Sequence, residues 1–288
     1  MSATVTKNIS NMFVISDSGK VYTASAQGKL KADKVLVGDK VEYKLDGKRA
    51  IITKILPRKN MLIRPNIANV DNLVIVVSPV PAPDFLLIDK LILTCLYNDI
   101  KPILCVNKDD MDEGFIEKVK SQYGNVVVNI LSTSAVTKKG LDSLKKIISG
   151  EVSAFAGQSA VGKSTILNGL LDDAVAKTGS ISIKTQRGRH TTRHSEMFEI
   201  SAGTFIIDTP GFSMLNIGGI TYDNLRFYYP DFADFKCKYS SCTHTGEDAR
   251  ECAVKAATTS GFLDKDRLER YNTIYKELKE RRNVYEKN

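Results

Sequence analysis

Residues 157–164 read Gly-Gln-Ser-Ala-Val-Gly-Lys-Ser, a G-x-x-x-x-G-K-S pattern between the apolar run Val152–Ala156 and the helically spaced Ser164–Leu171. Such a segment obliges strand, glycine-bearing loop and helix to follow one another directly. The glycines let backbone N–H groups curl around a phosphate, and the helix N-terminus adds its positive pole. The expected phosphate and nucleotide contacts are therefore Gly157, Gln158, Ser159, Ala160, Val161, Gly162, Lys163, Ser164 and Thr165. Lys163 is placed to reach β and γ phosphates, and the Ser164 hydroxyl to bind Mg²⁺.

The surrounding texture agrees. Apolar runs at Leu73–Val77, Ile103–Val106, Val126–Ile130, Ser153–Ala156 and Thr204–Ile207 read as buried parallel strands. Between them, Asp84–Tyr97, Glu113–Tyr123, Leu141–Ile148 and Lys163–Leu171 carry helical spacing. This alternation predicts a doubly wound α/β sheet. Asp208-Thr209-Pro210-Gly211 follows one of these strands. That places Asp208 to hold Mg²⁺ or its water shell and the Gly211 N–H to sense a γ phosphate. Asn107-Lys108-Asp109-Asp110 follows another strand and fits N-K-x-D. A carboxylate at Asp110 can accept from both guanine N1–H and the exocyclic amine, a pair adenine does not offer. Ser132-Thr133-Ser134-Ala135 resembles the loop that supplies backbone N–H to the guanine oxygen. The base-reading segments thus precede the phosphate loop, the reverse of the ordinary order. A GTP site tolerates this, because its loops gather at one edge of the sheet whatever the connections between strands.

The flanks differ in character. Residues 1–64 hold 13 Lys and Arg against 5 Asp and Glu, while the rest of the chain holds 28 of each. The whole formal excess of +8 sits there, an electrostatic footprint suited to nucleic acid. Asn11–Ser16, Lys20–Ala26, Lys40–Leu45 and Ala50–Leu56 read as short strands separated by turns, which predicts a small barrel, with Arg64-Pro65-Asn66 as linker. Near the other end Cys237, Cys242, His244 and Cys252 give C-x4-C-x-H-x7-C, a donor set for one closed structural Zn²⁺. A charged helix follows from Asp264 to about Glu286. The five cysteines are an odd number with no secretion signal, so no disulfide framework is expected, and Cys95 and Cys105 read as core residues. The start lacks a signal peptide and no apolar stretch is long enough to span a bilayer, so a cytoplasmic chain is expected.

NKDD at 107–110, GQSAVGKS at 157–164, GRHTTRH at 188–194, DTPGF at 208–212 and the Cys/His cluster, in this order, resemble the circularly permuted ribosome-associated GTPases called RsgA or YjeQ. The resemblance runs over nearly the whole length. It implies a multidomain α/β chain: an OB-fold RNA-binding barrel at 1–65, a permuted GTPase domain at 66–220 and a helical zinc-binding domain at 221–288. It further implies a monomer that binds the small (30S) ribosomal subunit and its rRNA, is stimulated by it, and couples GTP hydrolysis to late subunit maturation. The spacing between His244 and Cys252 is two residues longer than the family's usual, to be absorbed within 246–251.

Residues 187–194 lie where the first switch belongs. Thr191 or Thr192 would give Mg²⁺ a hydroxyl, His190 and His194 would orient water or meet rRNA phosphate, and Arg187, Arg189 and Arg193 would face phosphate or RNA. Phe212 stands where ordinary GTPases place a water-orienting Gln, so help with hydrolysis must come from elsewhere. Potassium-activated relatives carry Asn at the fourth loop position, where this chain has Ala160. Two other readings compete: a GTP-sensing RNA-binding protein without turnover, and a GTPase acting on a non-ribosomal partner.

Overall fold

The computed structural model describes residues 1–9, 12–31, 35–47, 49–134, 136–178, 195–209 and 217–285. Strand β8 (Asn72–Val77) lies inside the sheet and is buried throughout. Its residues alternate between two cores. Leu73, Ile75 and Val77 pack with α1 (Phe85–Tyr97) and α2 (Phe115–Tyr123) through Ile88, Leu91, Val119 and Tyr123. Val74 and Val76 pack with α3 (Leu141–Ile147) and α4 (Lys163–Thr178) through Leu144, Ile166, Leu167 and Leu170. Helices on both faces explain why the strand reads as an unbroken apolar run.

The central sheet runs in the order β10 (Asn129–Thr133), β9 (Lys101–Asn107), β8, β11 (Val152–Ala156), β13 (Thr204–Asp208), β12 (Glu196–Ser201). The first five of these are mutually parallel, as expected. The sixth, β12, is antiparallel to β13 and had no counterpart in the sequence reading. The expected strand at Val126–Ile130 moves downstream. Val126 is instead tucked under the end of α2, its N–H donating to the Tyr123 carbonyl at 2.9 Å, and Val128 is exposed. Parallel pairing of Asn129↔Ile103 through Thr133↔Asn107 sets the strand, which draws Ser132 and Thr133 into it.

The sheet continues without a break into the N-terminal part. β1 (Ser2–Ile9) pairs with β12 at Lys7↔Glu196 and then with β2 (Met12–Asp17), followed by β3 (Lys20–Ala26), β5 (Arg49–Ile55) and β4 (Lys40–Asp46). Pairing of β1 with β4 closes a five-stranded barrel around Val5, Ile15, Val41, Tyr43 and Ile52. The strand β1 escaped sequence reading because only Ala3 and Val5 on it are buried apolar residues. Arg64-Pro65-Asn66 is not a linker: it turns a hairpin between β6 (Met61–Ile63) and β7 (Asn66–Ala68), whose Leu62 and Ile67 join the core beneath α1.

C-terminal to residue 217 the chain forms short 3-10 turns, α5 (Ala253–Thr259) and α6 (Lys265–Tyr285), with Asp264 capping α6 through the Arg267 N–H. Its core of Ile217, Leu225, Tyr229, Phe232, Cys242, Cys252, Val254 and Tyr271 includes Leu93 from α1, so it is packed on the sheet's helices. Among the described residues no helix is long and apolar enough to cross a membrane.

Candidate active site and metal centre

Parallel strands bring their C-terminal ends to one edge, so the segments after β9, β10, β11 and β13 meet there. The meeting is held by direct bonds. Asn107, almost fully buried, donates from Nδ2 to the Val161 carbonyl at 2.8 Å. Its Oδ1 accepts from the Thr133 hydroxyl at 3.4 Å. Lys108 reaches over the same loop, its Nζ donating to the carbonyls of Ala160 at 2.9 Å and Val80 at 2.7 Å. Lys108 and Ala160 both carry left-handed φ angles, 61° and 64°, the kind of backbone cost that clusters at ligand sites. Gly162 is needed for the close approach: at φ +96°, a Cβ there would run into the Asn107 amide.

Lys163 opens α4, and its Nζ donates to the Gly157 and Gln158 carbonyls, each at 2.6 Å. Burial pushes its pKa down, and the nearby Asp208 carboxylate acts against that shift. Asp208 ends β13 and Thr209 ties back by donating from its hydroxyl to the Phe155 carbonyl at 3.1 Å. Ser164 and Thr165 lie on the first turn of α4, and Ser159 is exposed in the loop before it. Gln158 has a role its sequence position did not announce: its side-chain oxygen accepts from the Asp84 N–H at 3.1 Å, at the N-cap of α1.

The two acids of the N-K-x-D segment differ. Asp110 is exposed. Asp109 is largely buried and accepts from the Ser132 hydroxyl at 2.5 Å and from Lys139 Nζ at 2.8 Å. Lys139 was not singled out from the sequence, where Lys-Lys-Gly carries no motif. Ser134 is buried and its N–H donates to the Lys139 carbonyl at 3.0 Å. Ala135, Arg187, Arg189, His190, Thr191, Thr192, Arg193, His194, Gly211 and Phe212 lie outside the described residues.

The four expected metal ligands do converge, with donor atoms all within 4.8 Å of one another. His244 Nδ1 lies 3.6 Å from Cys237 Sγ and 3.4 Å from both Cys242 Sγ and Cys252 Sγ; Cys237 and Cys252 sulfurs are 3.9 Å apart. A tetrahedron of Zn–S and Zn–N bonds has edges of about 3.5–3.8 Å, so the donor set fits that ion. Burial pushes the Cys242 thiol up to about 12 and raises Cys252 as well, so thiolates side by side here require a cation among them. Burial lowers the His244 pKa, which keeps a lone pair on the ring. The long spacing before Cys252 is taken up by a turn in which the Glu251 and Cys252 N–H groups both donate to the Asp248 carbonyl at 2.9 Å.

The chain is similar to known proteins over nearly its whole length. Residues 55–218 match the family described as RsgA GTPase. The small ribosomal subunit biogenesis GTPase RsgA of Ruminiclostridium cellulolyticum is 39% identical, the match covering 90% of this chain and 87% of the relative. The protein of the same name from a Geobacillus species is 38% identical over 98% of both chains. Among solved structures, YjeQ from Thermotoga maritima superposes with a TM-score of 0.81 at 31% identity, covering 96% of this chain and 98% of the other. YloQ, described as a circularly permuted GTPase, superposes with a TM-score of 0.78 at 30% identity, covering 97% and 95%. On the family match and the near full-length identity, the chain belongs to the RsgA family of circularly permuted GTPases.

Proposed function

We propose that this GTPase turns over GTP while bound to the small ribosomal subunit and uses hydrolysis to leave it late in the subunit's maturation. The observation that carries the nucleotide half is the Asn107–Val161 bond, which clasps the base-reading strand to the phosphate loop although 54 residues separate them. Support for the partner comes from relatives named for small ribosomal subunit biogenesis that match over nearly the whole chain.

In this reading Asp110 pairs with guanine N1–H and the 2-amine, and a backbone N–H of the Ser132–Ala135 loop meets the guanine O6. Lys163 exchanges its bonds to the loop carbonyls for the β and γ phosphates. Ser164 and Asp208, with Thr191 or Thr192, would hold Mg²⁺; its charge would neutralise the phosphate oxygens. Hydroxyl and carboxylate suit that hard ion, and both stand at the edge where Lys163 feels Asp208. Gly211 senses the γ phosphate. His190 orients the attacking water, because Phe212 cannot. Zinc on Cys237, Cys242, His244 and Cys252 has a structural role, and the basic residues 1–65 face rRNA.

The test is GTP turnover with and without purified small subunits, where a rise of at least about tenfold is expected, equal to supplying about 1.4 kcal/mol to the transition state. Truncating the barrel would be a poor companion variant, since Val37 and Leu62 belong to the GTPase core. Neutralising the exposed Lys20, Lys40 and Lys44 to Ala is cleaner. Subunit affinity should fall and its salt dependence flatten, because fewer counterions are released from RNA. Turnover unaltered by subunits would defeat the proposal.

A further inference from the structure

Asp109 grips the chain at two points 7 residues apart in sequence, Ser132 and Lys139. Between these points the backbone folds on itself: the Ser134 N–H donates to the Lys139 carbonyl, and the Thr137 N–H to the Ser134 hydroxyl at 3.4 Å. Gly140 closes the turn at φ +78°, where a Cβ would run into the Ser132 carbonyl. The Asp109 N–H also donates to the Thr133 carbonyl at 3.4 Å. One acid therefore holds the departure and the return of the segment that follows β10.

We propose that Asp109 and Lys139 form a brace that fixes this segment against the guanine O6, so that Asp109 sets selectivity for guanine over adenine without touching the base. The inference rests on the base-site reading given under Proposed function. An N–H aimed at O6 rejects the 6-amine of adenine only if it cannot swing away, so discrimination depends on how rigidly the segment is held. Burial pushes the Asp109 carboxyl up, but the Lys139 and Ser132 hydrogen bonds outweigh it and hold its pKa below the usual value. The same pair raises Lys139, so the brace is charged on both sides at neutral pH. Asp109 is a positioning residue, and the chemistry it acts through belongs to the backbone of the Ser132–Ala135 loop.

The experiment compares fluorescent GDP, IDP and ADP binding to the full chain. IDP keeps O6 and N1–H but lacks the 2-amine, whereas ADP lacks O6. Asp109→Ala should weaken GDP and IDP alike, by about tenfold, and leave ADP nearly as it was. The GDP:ADP preference then falls while GDP:IDP holds. Asp110→Asn should do otherwise and change GDP:IDP. Asp109→Asn keeps an acceptor for Ser132 but loses the charge pair, so about threefold is expected. Lys139→Ala should match it, and the double variant should be no worse than either, as members of one interaction are. These two variants carry the test if Asp109→Ala does not fold, since Lys139 is mostly exposed. A folded Asp109→Ala protein whose GDP:ADP preference stays within about twofold of wild type overturns the brace. So does a GDP:IDP preference that falls in step with GDP:ADP. Wild-type protein that bound ADP as well as GDP would sink the base-site reading itself, and the brace with it.

Discussion

The N-terminal barrel and the cysteine-bearing C-terminal part both rest on the central sheet, but different chemistry fastens each. The barrel extends the sheet: β1 pairs with β12 at Lys7↔Glu196, reinforced by a 3.0 Å ion pair between those two side chains. Nearby joints also use the backbone, with the Ala68 N–H donating to the Val37 carbonyl and Asn69 Nδ2 to the Gly38 carbonyl, both at 2.9 Å. The C-terminal part is fastened by buried charge. Arg267 and Arg270 of α6 donate to the two oxygens of Asp89 on α1, at 2.8 and 2.7 Å, and Arg267 also holds Asp231 at 2.5 Å. Tyr123 donates to the same Asp89 at 2.6 Å. Burial alone disfavours a charged Arg267, and the Asp89 and Asp231 carboxylates more than reverse this. Backbone pairing tolerates many side chains; a buried ionic cluster holds only while every partner is present.

Removing the metal should have the largest effect. Freshly purified protein should carry about one zinc per chain, and Cys242→Ala should lose it, forfeiting binding free energy on the order of 10 kcal/mol that is also folding energy. Elemental analysis checks the first point. Hydrogen exchange checks the second: amides in 221–285 should lose protection while those of the barrel keep theirs. Loosening of both parts together would break the contrast, since the two attachments would not be independent.

Next comes Asp89→Ala, which leaves two guanidiniums facing an empty position. A loss of about 3–5 kcal/mol in urea unfolding is expected, the usual cost of stranding buried charge. A loss below about 1 kcal/mol would show that apolar contacts, Leu93 above all, do the fastening instead.

The smallest effect belongs to the barrel joint. Glu196→Gln removes the charge on one side while the strand pairing and the reach of Lys7 to solvent remain. With Glu196 buried but Lys7 partly hydrated, about 1–2 kcal/mol should be lost, less than at Asp89. A cost equal to that of Asp89→Ala would mean that the barrel depends on its ion pair as much as the C-terminal part depends on its ionic cluster.

Legibility followed burial and sequence distance. β8, β9, β11 and β13 were readable because helices cover both faces and their residues are apolar in runs. β1 and β12 were not: β1 shows the core only Ala3 and Val5, and the buried Met197, Phe198 and Ile200 of β12 are preceded by Glu196 and interrupted by Glu199. Val126–Val128 misled for the opposite reason: an apolar cluster served the end of a helix and not a strand. In the site, the phosphate loop, Asn107–Asp110 and the cysteine cluster stood out, since each is a short pattern tied to its own chemistry. Lys139 and the Gln158–Asp84 bond did not, because neither partner forms part of a shared local pattern.

By itself the sequence determined the motifs and their order along the chain: a G-x-x-x-x-G-K-S loop, an N-K-x-D segment that comes before it, and a cluster of three cysteines and a histidine. Those properties are local, decided by glycine freedom, donor type and spacing within a few residues. Tertiary structure alone decided that His244 presents Nδ1 to the three sulfurs, that Asp109 faces Ser132 and Lys139 while Asp110 stays exposed, and that Arg267 meets Asp89 from 178 residues away. Contacts at such separation are selected by the packing of whole helices and strands, and no short window of residues contains both partners.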